Sequence, residues 1–280
     1  MKTVAIVGVG LIGGSFGLAL KKAGFAGEII GVSSQRAVQA GMRAGAISRS
    51  VSLEEAAASA DMIYLAQTVD RILATLETLG PIASSNCLIT DAGSTKVAIV
   101  QKATASIRSA TFVGGHPLAG KEQRGAEAAD ADLFRGRPYL LTPTAGETPR
   151  LEAFRLWLSR IGANVIELSA QDHDAIVALT SHLPQIVSVA LANALAKQKN
   201  ELIKEILGPG LQDMTRLAMS SPEMWESIFS TNKTEVLTGL DAFVASLAQV
   251  RGAIEKGDIT RVFGSAATFA TAIRNQTYKT

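Results

Sequence analysis

Residues 3–15 read TVAIVGVGLIGGS. Five strand-forming residues, Thr3–Val7, run straight into Gly8-Val9-Gly10-Leu11-Ile12-Gly13, and a segment with helical spacing follows, Leu11–Ala23. Strand, glycine turn and helix in that order form a dinucleotide fingerprint. Gly8 permits the tight turn, Gly10 lets the backbone approach a pyrophosphate, and Gly13 lets helix and strand pack closely. Leu11 and Ile12 open the helix, whose N-terminal N–H groups and positive dipole end face the phosphates.

The second strand, Glu28–Val32, selects between the two nicotinamide cofactors. An NAD site places a carboxylate at its end to bond the ribose 2′-hydroxyl. Here it ends in Ser33-Ser34-Gln35-Arg36, and no acidic residue lies between Glu28 and Glu54. Two hydroxyls and a guanidinium suit a 2′-phosphate, which takes charge-assisted donors and is repelled by carboxylate. The sequence therefore predicts NADP as the preferred cofactor, with NAD as the alternative, read by Ser33, Ser34 and Arg36.

Outward from this start the chain shows two grammars. Up to residue 168, short apolar runs alternate with helical segments: Met62–Leu65, Cys87–Thr90, Thr111–Val113, Tyr139–Leu141 and Asn164–Leu168 join the two strands above. That alternation predicts a doubly wound, mostly parallel sheet of Rossmann type, covered on both faces. From 169 to 280 no strand is expected. Asp172–Lys199, Asn200–Ile206, Pro222–Phe229, Lys233–Glu255 and Ile259–Asn275 all read as helices, giving an all-α domain. Its long Ala/Val/Leu faces suggest a core completed by a second copy, a homodimer.

Composition excludes several function classes. At 280 residues, 47% hydrophobic and 19% charged, the chain can bury two cores and is not disordered. Lys and Arg number 27 against 25 Asp and Glu, with no basic run, so nucleic acid is not an expected partner. The strongest apolar stretch, Ile186 to Ala196, is shorter than the roughly 20 residues of a spanning helix. Glycines break the apolar N-terminal run, so no signal peptide is read there. The single cysteine, Cys87, allows no internal disulfide. A cytoplasmic protein, bound to no membrane, is expected.

In an open α/β sheet ligands sit beyond the carboxyl ends of the strands. After Cys87–Thr90 comes Asp91-Ala92-Gly93-Ser94-Thr95-Lys96. After Thr111–Val113 comes Gly114-Gly115-His116-Pro117. Glycines and proline around His116 predict an extended loop that presents a general base. Ser94 either caps the next helix or bonds a substrate hydroxyl, and one role does not exclude the other. His173 and His182, nine residues apart, fall on opposite faces of one helix, and no metal-ligand cluster is evident, so no metal is expected.

Taken together, GVGLIGGS at 8–15, DAGSTK at 91–96, GGHPLAG at 114–120, SHLPQ at 181–185 and DMTRLAMSSPEMW at 213–225 resemble the prephenate/arogenate dehydrogenases of tyrosine biosynthesis. The resemblance spans nearly the whole chain in matching order. It implies a dinucleotide domain, a helical dimerisation domain, and oxidative decarboxylation of a dicarboxylate cyclohexadienol. His116 would take the ring-hydroxyl proton while Ser94 holds the hydroxyl or the nicotinamide amide. Arg216 would bind a substrate carboxylate, His182 would line the pocket, and Trp225 would support a neighbouring helix. Gln185, neutral and one turn beyond His182, favours a keto acid, prephenate, over the ammonium-bearing arogenate.

Two other readings remain open at this point. A 3-hydroxyacid dehydrogenase with a helical second domain uses a lysine one helical turn before an asparagine. Here Asn193 precedes Lys197, and His116 goes unexplained. A non-catalytic dinucleotide-sensing protein would need the glycine loop but not Ser94, His116 and Arg216.

Overall fold

The computed structural model describes residues 1–277, save 145 and 147. In chain order they form β1 (Thr3–Val7), α1 (Leu11–Lys22), β2 (Glu28–Val32), α2 (Gln35–Arg43), β3 (Arg49–Ser50), α3 (Leu53–Ser59), β4 (Met62–Leu65), α4 (Val69–Leu79), β5 (Leu88–Asp91), α5 (Val97–Ser106), β6 (Thr111–Pro117), β7 (Pro138–Pro143), α6 (Pro149–Arg160) and β8 (Asn164–Glu167). Helices follow: α7 (Ala170–Val177), α8 (Leu183–Ala196), α9 (Pro209–Thr215), α10 (Pro222–Thr231), α11 (Lys233–Lys256) and α12 (Thr260–Thr277).

Among the described residues the strands form one eight-stranded sheet, in the order β3-β2-β1-β4-β5-β6-β7-β8. All neighbours run parallel except β6 and β7, which are antiparallel. Successive side chains of a strand point to opposite faces. Val4 and Ile6 therefore enter one apolar layer with Phe16, Tyr64 and Phe154, while Ala5 and Val7 enter the other with Ile63 and Ile72. Both faces are dry, which is why the strands read as continuous apolar runs. The chain leaves β1 toward β2 and β3, then returns to the other side of β1 at β4. That reversal opens a crevice at the carboxyl ends of β1 and β4, the usual ligand position in this architecture.

Contacts divide the chain into two units. One comprises Met1–Val177 with Ser221–Asn232, the other Ala178–Ser220 with Lys233–Thr280. A single cut at 168 does not describe this division: α7 and α10 belong with the sheet, because His173, Asp174 and Asn232 are bonded into it or onto each other. In the helical unit the chain makes a π-helical turn, Ala178–His182, before α8. Asn200–Ile206, expected as a helix, holds only the 3-10 turn Glu201–Lys204. Pro209 starts α9, which the sequence reading missed, and a 3-10 turn Arg216–Met219 follows it. Val244, Leu247 and Ile254 of α11 and Phe263 and Phe269 of α12 are exposed in the single chain.

One expectation about membranes needs correcting. The helical run Ala170–Ala196 is, by length and composition, apolar enough to cross a bilayer. It nonetheless carries the buried polar residues His173, Asp174, His182 and Gln185, as a helix packed in protein does.

Candidate active site

The glycine turn behaves as its chemistry requires. Gly8 has φ +97°, and a Cβ there would lie 2.4 Å from the Ala66 carbonyl oxygen. At Gly10 a Cβ would meet nothing within 4 Å. That open side faces a cavity of about 470 Å³ lined by Gly8, Gly10, Ser33, Ser34, Thr68 and Arg71, among others. The volume is of the order that takes a small ligand or part of a cofactor. With bare backbone at Gly10 and the start of α1 beside it, these residues fit a dinucleotide.

At the end of β2, Ser33 and Ser34 line this cavity. Ser34 also caps α2, its Oγ accepting the Ala37 N–H at 3.4 Å. Arg36 is not among the residues lining the cavity. Among the described residues, the cation on the wall is Arg71, in the first turn of α4, and no sequence signal marks it.

His116 is not on a loop. It lies within β6, paired with Leu140 of β7, and is 8% exposed. The two glycines before it let β6 run close to its neighbours. A Cβ at Gly114 would lie 2.2 Å from Thr142 Oγ1, and one at Gly115 would lie 2.5 Å from the Asp91 carbonyl oxygen. Asp91 also fixes this strand through its side chain: Gly115 N–H donates to its Oδ1 at 3.1 Å and Gly93 N–H to its Oδ2 at 2.8 Å. Lys96 Nζ pairs with Asp91 Oδ2, and both side chains are fully buried. Burial holds the Lys96 ammonium below its ordinary value, opposed by Asp91 and Asp174.

Beyond His116 lies a chain of polar groups. His116 Nδ1 is 2.9 Å from His173 Nε2, and His173 Nδ1 is 2.7 Å from Asp174 Oδ1. Lys96 N–H donates to Asp174 Oδ1 at 2.7 Å and Val97 N–H to Oδ2 at 2.9 Å. Asp174 therefore caps α5 and stabilises its positive end. Burial pushes the His173 imidazole below its ordinary value; Asp174 opposes that shift and Lys96 adds to it.

Ser94 sits half-buried between β5 and α5. It is not the cap of α5, since Asp174 does that work. Thr95 bonds to Thr231 at 2.8 Å. Trp225 packs against Phe229 and the apolar layer beneath, a supporting position. Lys121 pairs with Asp130 at 2.6 Å.

In the helical unit His182 is buried in the π turn and Arg216 is exposed at the start of its 3-10 turn. Gln185 is 4% exposed and committed to the fold: its Nε2 donates to the Leu217 carbonyl at 2.9 Å and its Oε1 accepts from Ser220 Oγ at 3.4 Å. It clasps the turn that carries Arg216. One of the two N–H donors that the sequence reading aims at a keto acid is thus engaged by a backbone carbonyl.

Family models match almost end to end. Residues 16–167 match the nucleotide-binding domain of prephenate dehydrogenase, and residues 169–266 match its dimerisation domain. This chain belongs to the prephenate/arogenate dehydrogenase family. It is 35% identical over 269 residues to prephenate dehydrogenase of Bacillus subtilis, covering 93% of this chain and 72% of that one. Aquifex aeolicus prephenate dehydrogenase, solved in complex with hydroxyphenyl propionate and NAD+, superposes with TM-score 0.90 at 30% identity over 98% of each chain. Synechocystis arogenate dehydrogenase gives TM-score 0.81 at 30% identity, over 98% of this chain and 99% of that one. The family's enzymes are NAD(P)-dependent and serve tyrosine biosynthesis, and the doubly wound sheet followed by helices is their architecture.

Proposed function

We propose that this chain oxidatively decarboxylates prephenate, with His116 as the base, and prefers NADP. The observation that carries the reading is His116 itself, buried at the carboxyl end of β6 on the same sheet edge as the glycine turn, with Nδ1 tied to His173.

The nicotinamide, when bound, supplies the hydride acceptor. His116 accepts the proton of the ring hydroxyl as hydride leaves the same carbon. The bond to the ring carboxylate then breaks, its electron pair aromatises the ring, and carbon dioxide departs. The phenolic oxygen takes its proton back, so no net proton is released. Ser94 holds the hydroxyl in line, and that orientation brings reacting atoms to near-attack distance. The family resemblance gives Arg216, whose guanidinium is a planar fork, the task of binding a carboxylate, and gives His182 a substrate-binding role. Gln185 acts by holding the Arg216 turn. The preference for prephenate therefore rests on the B. subtilis and A. aeolicus relatives rather than on its amide.

For the cofactor, Ser33, Ser34 and Arg71 on the cavity wall, with Arg36 nearby in sequence, favour a 2′-phosphate. The exposed apolar residues of α11 and α12 support a homodimer, which sedimentation would register as twice the chain mass.

Purified protein is assayed with prephenate or arogenate and with NADP or NAD, following absorbance of the reduced cofactor. Prephenate with NADP is expected to turn over fastest. His116→Asn should keep cofactor affinity and lose roughly 10²–10⁴ in rate. Activity with 3-hydroxyacids instead would overturn the reading.

A further inference from the structure

The buried pair behind His116 has no role in the proposed reaction, yet it occupies fully buried space beside the base. His173 is 0% and Asp174 2% exposed. Both oxygens of Asp174 accept backbone N–H groups at the start of α5, so this carboxylate is an acceptor on every side. Asn232 Nδ2 donates to the Asp174 backbone carbonyl at 2.8 Å, which pins α7 at this residue. Facing a carboxylate acceptor at 2.7 Å, His173 Nδ1 must be the donor. A neutral imidazole has one donor and one acceptor nitrogen. His173 Nε2 is then the acceptor, and the 2.9 Å contact obliges His116 Nδ1 to carry a proton.

We propose that His173 and Asp174 are positioning residues that lock His116 in the Nδ1–H tautomer, making Nε2 the atom that takes the substrate proton. This rests on His116 being the base. The order carboxylate, imidazole, imidazole extends by one ring the logic by which a buried carboxylate orients a catalytic histidine. The charge formed on His116 during turnover meets an acceptor nitrogen, then an anion one ring further away. The charged groups around His173 are Asp174 from its own helix, Lys96 at the start of α5 and Asp91 from β5. Lys96 is itself paired to Asp91, so Asp174 is the anion that decides which nitrogen of His173 donates.

The chain has three histidines, so ¹⁵N spectra of the wild-type protein can be assigned with His116→Asn and His182→Asn. His116 is expected as the Nδ1–H tautomer in the wild-type spectrum; the Nε2–H tautomer would overturn the proposal. His173→Leu should lower kcat on the order of 10–100-fold, as loss of an orienting partner does, with KM for the cofactor unchanged. His173→Gln, whose Oε1 can accept the same proton, should recover part of that loss. Full activity in His173→Leu, or equal losses in Leu and Gln variants, would sink the relay while leaving the base assignment standing. An active His116→Asn would sink the base assignment itself.

Discussion

Gly13 lies so close to Gly8 that a Cβ built on it would stand 2.2 Å from the Gly8 carbonyl oxygen, whereas one on Gly10 would meet nothing within 4 Å. The two glycines of the same turn therefore answer to different constraints, one internal and one external. Gly13→Ala should destabilise the protein by about 1–3 kcal/mol or more, since overpacking forces the backbone to shift. Gly10→Ala should leave stability within about 0.5 kcal/mol and weaken cofactor binding at least tenfold. Urea unfolding and cofactor titration of the two variants separate these effects. Equal destabilisation would contradict them.

The buried pair Lys96–Asp91 gives a second contrast. Lys96→Met leaves a carboxylate buried without its cation, which costs about 3–5 kcal/mol. Lys102 pairs with Glu77 at 2.8 Å, but Glu77 is 72% exposed. Lys102→Met should leave the midpoint nearly unchanged, because an exposed pair contributes little. Unfolding midpoints measure both. Because Asp91 also holds Gly115, the residue before His116, Lys96→Met should lower kcat as well.

His173 makes stability depend on pH. Burial keeps its imidazole below the ordinary value of 6.5 in the folded chain. Once unfolded it returns to that value. Between the two, the unfolded chain binds more protons, and stability rises with pH wherever that is so. Lowering pH from about 7 to about 5 should therefore lower the urea midpoint. In His173→Gln the slope should be shallower. An unchanged slope would show that folding leaves the His173 imidazole at its ordinary value.

Much of this was legible in the residues, for physical reasons. Strands buried on both faces are continuous apolar runs, so Thr3–Val7, Glu28–Val32 and Met62–Leu65 announce themselves. The two-residue β3 carries no apolar signature, since Arg49 and Ser50 are exposed and the Arg49 guanidinium pairs with Glu28 and Glu55 instead of entering a core. His116 is marked by its glycines, yet the same glycines suggest a loop. Their need arises instead from Thr142 and Asp91, which sit against them in the folded sheet. His173 and Asp174 were invisible. Asp172-His173-Asp174 reads as an ordinary solvated helical turn, and its partners lie 57 and 78 residues away. Gln185 has a structural bond that local sequence does not announce: Leu217, 32 residues on, takes one of its two N–H donors.

Cofactor choice is the last test, and it turns on where the cations stand. Arg71 lines the cavity beside Ser33 and Ser34, and Arg36 does not. A 2′-phosphate carries about two negative charges near neutrality, so reversing a charge beside it converts a charge-assisted bond into repulsion. Arg71→Glu should raise KM for NADP at least tenfold while changing KM for NAD less than threefold. Arg36→Glu, acting from outside the lining, should show a smaller effect in the same direction, diminished further by salt because the residue is exposed. Initial rates with both cofactors at two ionic strengths make the measurement. If both variants alter NAD and NADP alike, the guanidinium serves the pyrophosphate or adenine common to the two, and the preference for NADP falls.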